Sequence, residues 1–163
     1  MPLELSTLSR MTLSYNADED RVILVGELET GQVVSLVLTQ RLLNQLVPHL
    51  LKAADSLRTS DTSYGSDTKE SLQGSSAPVQ VKDLSNSILV TAVDLTKASG
   101  CVVLDWMNNA GDRKVRLVLD QGSLNPWLAA VKHCFVRGSW SIKAWQAQLP
   151  KEIGSDGEPF TVH

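Results

Sequence analysis

The sequence predicts an α+β protein of two tandem β-β-β-α units, an internal duplication, with antiparallel sheets packed by helices and a flexible Ser/Thr-rich linker between the units. Three observations carry this expectation. The stretch Val34–Asn44 (VSLVLTQRLLN) returns as Val115–Asn125 (VRLVLDQGSLN), identical at seven of 11 positions at a shift of 81. Upstream the shift becomes 80, matching Val22 to Val102 and Leu24 to Leu104, and the one-residue change falls in a Gly-containing turn, where insertions are tolerated. Between the copies, Ser, Thr and Gly make up 12 of the 23 residues of Ser56–Pro78, a composition with too little apolar surface to offset the entropy of ordering.

The expected organisation is a first unit over 1–55, a linker over 56–79, a second unit with a short C-terminal helix over 80–150 and a tail over 151–163, the two units packing as one compact domain. In the first unit Met11–Tyr15 alternates and meets the polar turn Asn16–Asp20. Arg21–Glu27 and Val33–Leu38 read as strands around Gly31. Thr39 then caps a helix over Gln40–Ala54, with Leu42, Leu43, Leu46, Val47, Leu50 and Leu51 spaced as one stripe and Pro48 expected to kink it.

In the second unit the strands are Ile88–Leu95, Val102–Met107 and Lys114–Leu119. Asn125-Pro126 reads as a cap and first turn, opening a helix over Pro126–Val136 that buries Leu124, Trp127, Leu128, Val131 and Phe135. Gly138 ends it, and a last helix over Ile142–Leu149 stops at Pro150. The tail carries Glu152, Asp156 and Glu158.

Strand alternation divides each sheet into two faces. Val22, Leu24, Val34, Leu36 and Leu38 face the first helix, as do Val102, Leu104, Trp106, Val115, Leu117 and Leu119 the second. The opposite faces differ. In the first unit that face holds Ile23, Val25, Val33 and Val37, apolar enough to demand a cover, and Ile23, Val25 and Val37 are the candidate self-association interface. In the second it holds Val103, Asp105, Lys114, Arg116 and Val118, and Asp105 is expected to pair across the strands with Lys114 or Arg116.

The chain has 163 residues, 42% hydrophobic and 20% charged, enough to bury a core without staples, and its net charge of −3 disfavours a globally basic nucleic-acid binder. It contains no run long enough for a membrane-spanning helix, and Met1–Arg10 lacks the apolar core of a leader, so a cytoplasmic protein with no membrane partner is expected. Phosphate-loop, nucleophile-elbow and zinc-protease motifs are missing. Cys101 and Cys134 read as small buried hydrophobes, and His49, His133 and His163 are not spaced as metal ligands, so neither cofactor nor metal is expected.

The function expected on these grounds is a non-enzymatic protein-interaction or assembly module, self-associating as a homodimer and meeting a further protein partner. The alternative is single-stranded nucleic-acid or polyanion binding through 113–143. There Arg113, Lys114, Arg116, Lys132, Arg137 and Lys143 face the single acid Asp120, and Trp140 lies in a turn with no evident core role. No residue motif of a known family is present, and a fold outline alone carries no function.

Overall fold

Turn chemistry and alternation build the first three strands. The structure, a computed structural model, describes residues 4–59, 87–111, 113–146 and 160–162. β1 (Glu4–Asn16), β2 (Arg21–Leu28) and β3 (Val33–Leu38) pair antiparallel in sequence order. Asn16 closes the first turn, its side-chain oxygen accepting the Asp18 and Glu19 amides at 3.0 and 3.2 Å. Gly31 turns the second with φ +86°, a backbone region that a side chain disfavours. α1 (Gln40–Thr59) opens at Thr39, whose hydroxyl accepts the Leu42 amide at 3.2 Å, and runs on through Pro48.

The second half follows the same order. β4 (Ile88–Leu89) leads into β5 (Ala92–Ala98), β6 (Cys101–Met107) and β7 (Arg113–Asp120), and α2 (Gln121–Arg137) follows at once. A 3-10 turn over Lys143–Trp145 and a short β8 (Phe160–Val162) complete the described elements. All eight strands belong to one curled sheet, ordered β4-β3-β2-β1-β7-β6-β5-β8.

This sheet is mixed, which corrects the expectation of antiparallel sheets. The leading part of β1, Glu4–Thr7, extends beyond β2 and lies parallel to Arg113–Arg116 of β7. A bulge between Leu8 and Arg10 then re-aims the strand onto β2. Gly26 makes that bend possible, because a Cβ there would overlap the Leu8 side chain that folds across it. A second parallel contact joins β4 to Leu36 and Val37 of β3. At Val90–Thr91 the chain changes partner: the Val90 amide donates to Val37 O at 3.0 Å and the Thr91 amide to Met107 O at 2.9 Å. Consecutive residues thus bond to strands far apart in the sheet order, so the sheet curls enough to bring β3 and β6 to one connection.

One core joins both halves. Val22, Leu24, Leu36 and Leu38 from the first strands, Leu104, Trp106, Leu117 and Leu119 from the second, and both helices lie in a single buried cluster. Leu43, Leu46, Val47 and Leu50 of α1 are wholly buried, as the stripe predicted. Leu124, Trp127, Leu128, Val131 and Phe135 of α2 are also buried.

Several boundaries differ from the sequence expectation. β1 is longer than Met11–Tyr15 because its first half finds β7. The strand expected over Ile88–Leu95 is split by the change of partner into β4 and β5. α1 continues to Thr59, four residues into the expected linker, and the rest of that linker lies outside the described residues. α2 begins at Gln121 rather than Pro126: Asp120 and Ser123 form a reciprocal capping box, the Ser123 amide donating to Asp120 Oδ1 at 2.8 Å. Only Lys143–Trp145 of the expected last helix is helical among the described residues. Of the expected tail, 160–162 forms β8 against β5, and Glu152, Asp156 and Glu158 lie outside the described residues.

The two possible helix starts make a sharp test. Asp120→Ala should cost about 1 kcal/mol, the size of a lost N-cap. Asn125→Ala, at an exposed position, should stay within about 0.5 kcal/mol of the parent. Urea unfolding of both variants reads the difference, and the reverse ranking would return the helix start to Asn125.

Candidate functional site

On the face of the sheet away from the helices, β5, β6 and β7 carry an ion-pair network. Asp105 stands directly across from Arg116 in the ladder, as alternation predicted. Arg116 Nε donates to Asp105 Oδ1 at 2.7 Å and Nη2 to Oδ2 at 2.9 Å, a two-point fork. Lys114 Nζ adds a contact at 3.7 Å to Asp105 and one at 4.0 Å to Asp94. The Asp105 side chain is only 8% exposed, and its carboxylate holds the Arg116 guanidinium above its ordinary range. The Thr161 hydroxyl donates to Asp94, which ties β8 to the same network. Each carboxylate here is matched by a cation or a hydroxyl, so the cluster acts as a clasp across four strands.

The same face of the first half is apolar and covered. Ile23, Val25 and Val37 form a separate cluster, 4%, 9% and 9% exposed within the single chain. Within the single chain these residues thus offer little exposed surface as the expected self-association interface. Val33, at the foot of β3, is the exposed member at 42%.

The basic stretch is divided. Lys114 and Arg116 project from β7 on the helix-free face, whereas Lys132 and Arg137 lie on the exposed side of α2, across the sheet. Lys143 is exposed in the 3-10 turn and Arg113 at the foot of β7. Trp140 is only 8% exposed, against the expectation of a turn tryptophan free to stack. Its ring meets Tyr15 and Phe135 edge-on at 5.6 and 5.0 Å, and its indole N–H donates to Asp20 Oδ1 at 2.8 Å.

Asp20 sits in the left-handed region at φ +53° and also accepts the Tyr15 hydroxyl. These two donors, Tyr15 first, hold its carboxyl below the usual aspartate range, and the same bond pushes the Tyr15 phenol up. Gly138 leaves room for the Tyr15 ring, which a Cβ would meet at 2.7 Å. The trio locks the β1–β2 turn to the end of α2.

The thiols and imidazoles are dispersed. Cys134 is buried, and burial pushes its thiol up. Cys101 is partly buried at the start of β6, His49 lies on α1 and His133 is exposed on α2. Among the described residues no three or more His, Cys, Asp or Glu side chains gather as a metal site. No described helix is long and apolar enough to cross a membrane.

A groove of about 800 Å3 opens at the seam of the curled sheet. Its one wall is the foot of β3 with β4, including Val33, Ser35, Ser87 and Leu89. The other is the β6–β7 turn, Asn108, Asn109 and Ala110, with Arg113 beyond it, and Gln32 and Thr91 close the ends. Ser87 Oγ donates to Ser35 Oγ at 3.1 Å across the floor. Val33 and Leu89, 42% and 46% exposed, flank this polar pair. Of the candidate site residues named from sequence, Arg113 alone is among the described lining, while Val33 and Val34 were read only as strand residues. The others were passed over because turn residues read as connections, and the seam that joins them exists only in the folded chain.

Two predictions follow from this geometry. Arg116→Met strips the buried Asp105 of both charge-assisted bonds and should cost about 1–3 kcal/mol. Asp105→Val added to it should recover most of that loss, since the matched position of the first half is Val25; a double variant no better than Arg116→Met would show the pair itself to be needed. For Asp20, a carboxyl lowered in the folded state stabilises above the ordinary aspartate pKa, and this contribution is lost as pH falls through the lowered value. Trp140→Phe removes one donor, so the Asp20 midpoint in an NMR titration should rise, and an unmoved midpoint would deny the bond its role. Compared with protein-family models, with curated proteins and with solved structures, the chain matches none.

Proposed function

We propose that this chain is a non-enzymatic protein-interaction module that receives a segment of its partner in the seam groove. The observation that carries the reading is the groove itself. Its size falls in the range of ligand-binding clefts, about 300–1,000 Å3. Its lining alternates apolar side chains with amides and hydroxyls, the chemistry of recognition by shape and hydrogen bonds. Among its described lining residues no carboxylate or imidazole stands beside Ser35 or Ser87 to activate a hydroxyl. The module is built of two β-β-β-α units of common origin. Support for that duplication comes from the matching element order and from the caps Thr39 and Asp120, which fall at equivalent places under the shift of 81.

Random peptides displayed on phage test the reading. Clones enriched on the wild-type protein should lose at least about ten-fold in affinity against the double variant Val33→Arg, Leu89→Arg, both exposed positions whose substitution leaves folding nearly unchanged. A panning that enriches no clone, or clones indifferent to the double variant, would remove the groove as the interaction site.

A further inference from the structure

A smaller recess of about 20 Å3 adjoins the seam groove, room for about one water-sized group. The two spaces share Gln32, Val34, Ile88 and Arg113 in their linings. The recess lies where β1 passes from β2 to β7: Ser6, which lines it, stands across from Val115 in the parallel ladder. Leu28 and Val115, only 4% and 5% exposed, belong to the core that joins both halves. The recess thus reaches core side chains, whereas Gln32 and Arg113 are exposed.

Charge marks the same spot. Arg113 is the only charged residue among the described lining of the groove. Lys114 joins it around the recess, but its ammonium lies 3.7 Å from Asp105 and 4.0 Å from Asp94. Among the described side chains no carboxylate pairs with Arg113. A guanidinium takes a carboxylate through two parallel bonds, and a lining without a described acid favours one from outside.

Arg113 and the recess together ask for a carboxylate and a small apolar group side by side. The last residue of a protein offers both from one Cα when its side chain is small. An internal Glu or Asp uses its side chain for the carboxylate and leaves nothing for the recess. The groove is also larger than a free amino acid fills, and its remaining hydroxyls and amides, Ser87, Thr91 and Asn109 among them, suit the main chain leading to such an end.

We infer that the groove binds the C-terminal end of another protein, its terminal carboxylate held by Arg113 and a small last side chain, Ala or Val, seated in the recess beside Leu28 and Val115. This inference rests on the groove being the interaction site, and it adds which part of the partner enters and what chemistry it presents.

Peptides displayed with free C-termini and selected on the wild-type protein test it, each resynthesised as an acid and as a C-terminal amide. Selected sequences should end in Ala or Val, and by fluorescence anisotropy the amide should bind at least about ten-fold more weakly than the acid. Arg113→Gln should weaken the acid by a similar factor and leave the amide unchanged. Exchange of the last residue for Trp should also cost about ten-fold, since the recess has no room for it. N-acetylvaline, a carboxylate without the chain, should compete only at far higher concentration. An amide equal to the acid, or an acid indifferent to Arg113→Gln, would overturn the terminal carboxylate. Tolerance of Trp would overturn the seat in the recess, and N-acetylvaline competing as well as the peptide would overturn a protein partner. Enrichment from internally displayed random peptides alone would overturn the terminus while the groove stood as an interaction site. Enrichment from neither library takes the interaction reading down with the inference.

Discussion

Every backbone donor and acceptor taken out of water needs a partner, and a long strand edge left open invites another chain. Here that requirement is met by sharing. β1 gives its first four residues to β7 and the rest to β2, with a bulge between. The stretch 88–98 gives its beginning to β3 and its end to β6, with the change of partner at Val90–Thr91. These two shared strands turn two three-stranded meanders into one sheet. They also set both helices on one side of it, where a single apolar cluster forms. The groove lies beside the short contact of β4 with β3, which pairs two residues of each strand among the described residues.

The two halves spend their outer faces differently. Ile23, Val25 and Val37 make a small apolar cluster in the first, whereas the second uses Asp94, Asp105, Lys114 and Arg116 at comparable places. A forked ion pair whose carboxylate is buried is costly to desolvate and adds little net stability over apolar side chains of similar size. Its contribution is geometric: a carboxylate that accepts two parallel bonds fixes β6 against β7 in one register, which an apolar pair leaves less defined.

Local signals define most elements of this chain but few of their partnerships. β3 was legible to the residue from Gly31 and the alternation after it, and the helix-facing sets of both halves follow from the same period of two. That Asp105 pairs across the strands with Lys114 or Arg116 was legible because a short turn leaves few registers, and the fold sets it directly opposite Arg116. The start of α2 was also within reach: the repeat places Asp120 where Thr39 stands, but Asn125-Pro126 is the stronger local cap signal and drew the boundary five residues late. Trp140 was misplaced because its partners, Tyr15 and Asp20, lie at the other end of the chain. The groove was not legible at all, since its walls are two turns and a strand edge that meet only when the sheet curls.

The parallel contact of Glu4–Thr7 with Arg113–Arg116 joins residues 109 apart in sequence. A chain emerging from the ribosome makes the front of β1 109 residues before the stretch of β7 that pairs with it. Until then the front of β1 has no permanent neighbour, and the first meander stands alone with half its core unpacked. Contacts so distant in sequence raise the entropy lost before any reward is gained, and they slow folding. The architecture that gives the mature protein its seam thus also sets a delay in its birth, with the front of β1 made well before the strand that secures it.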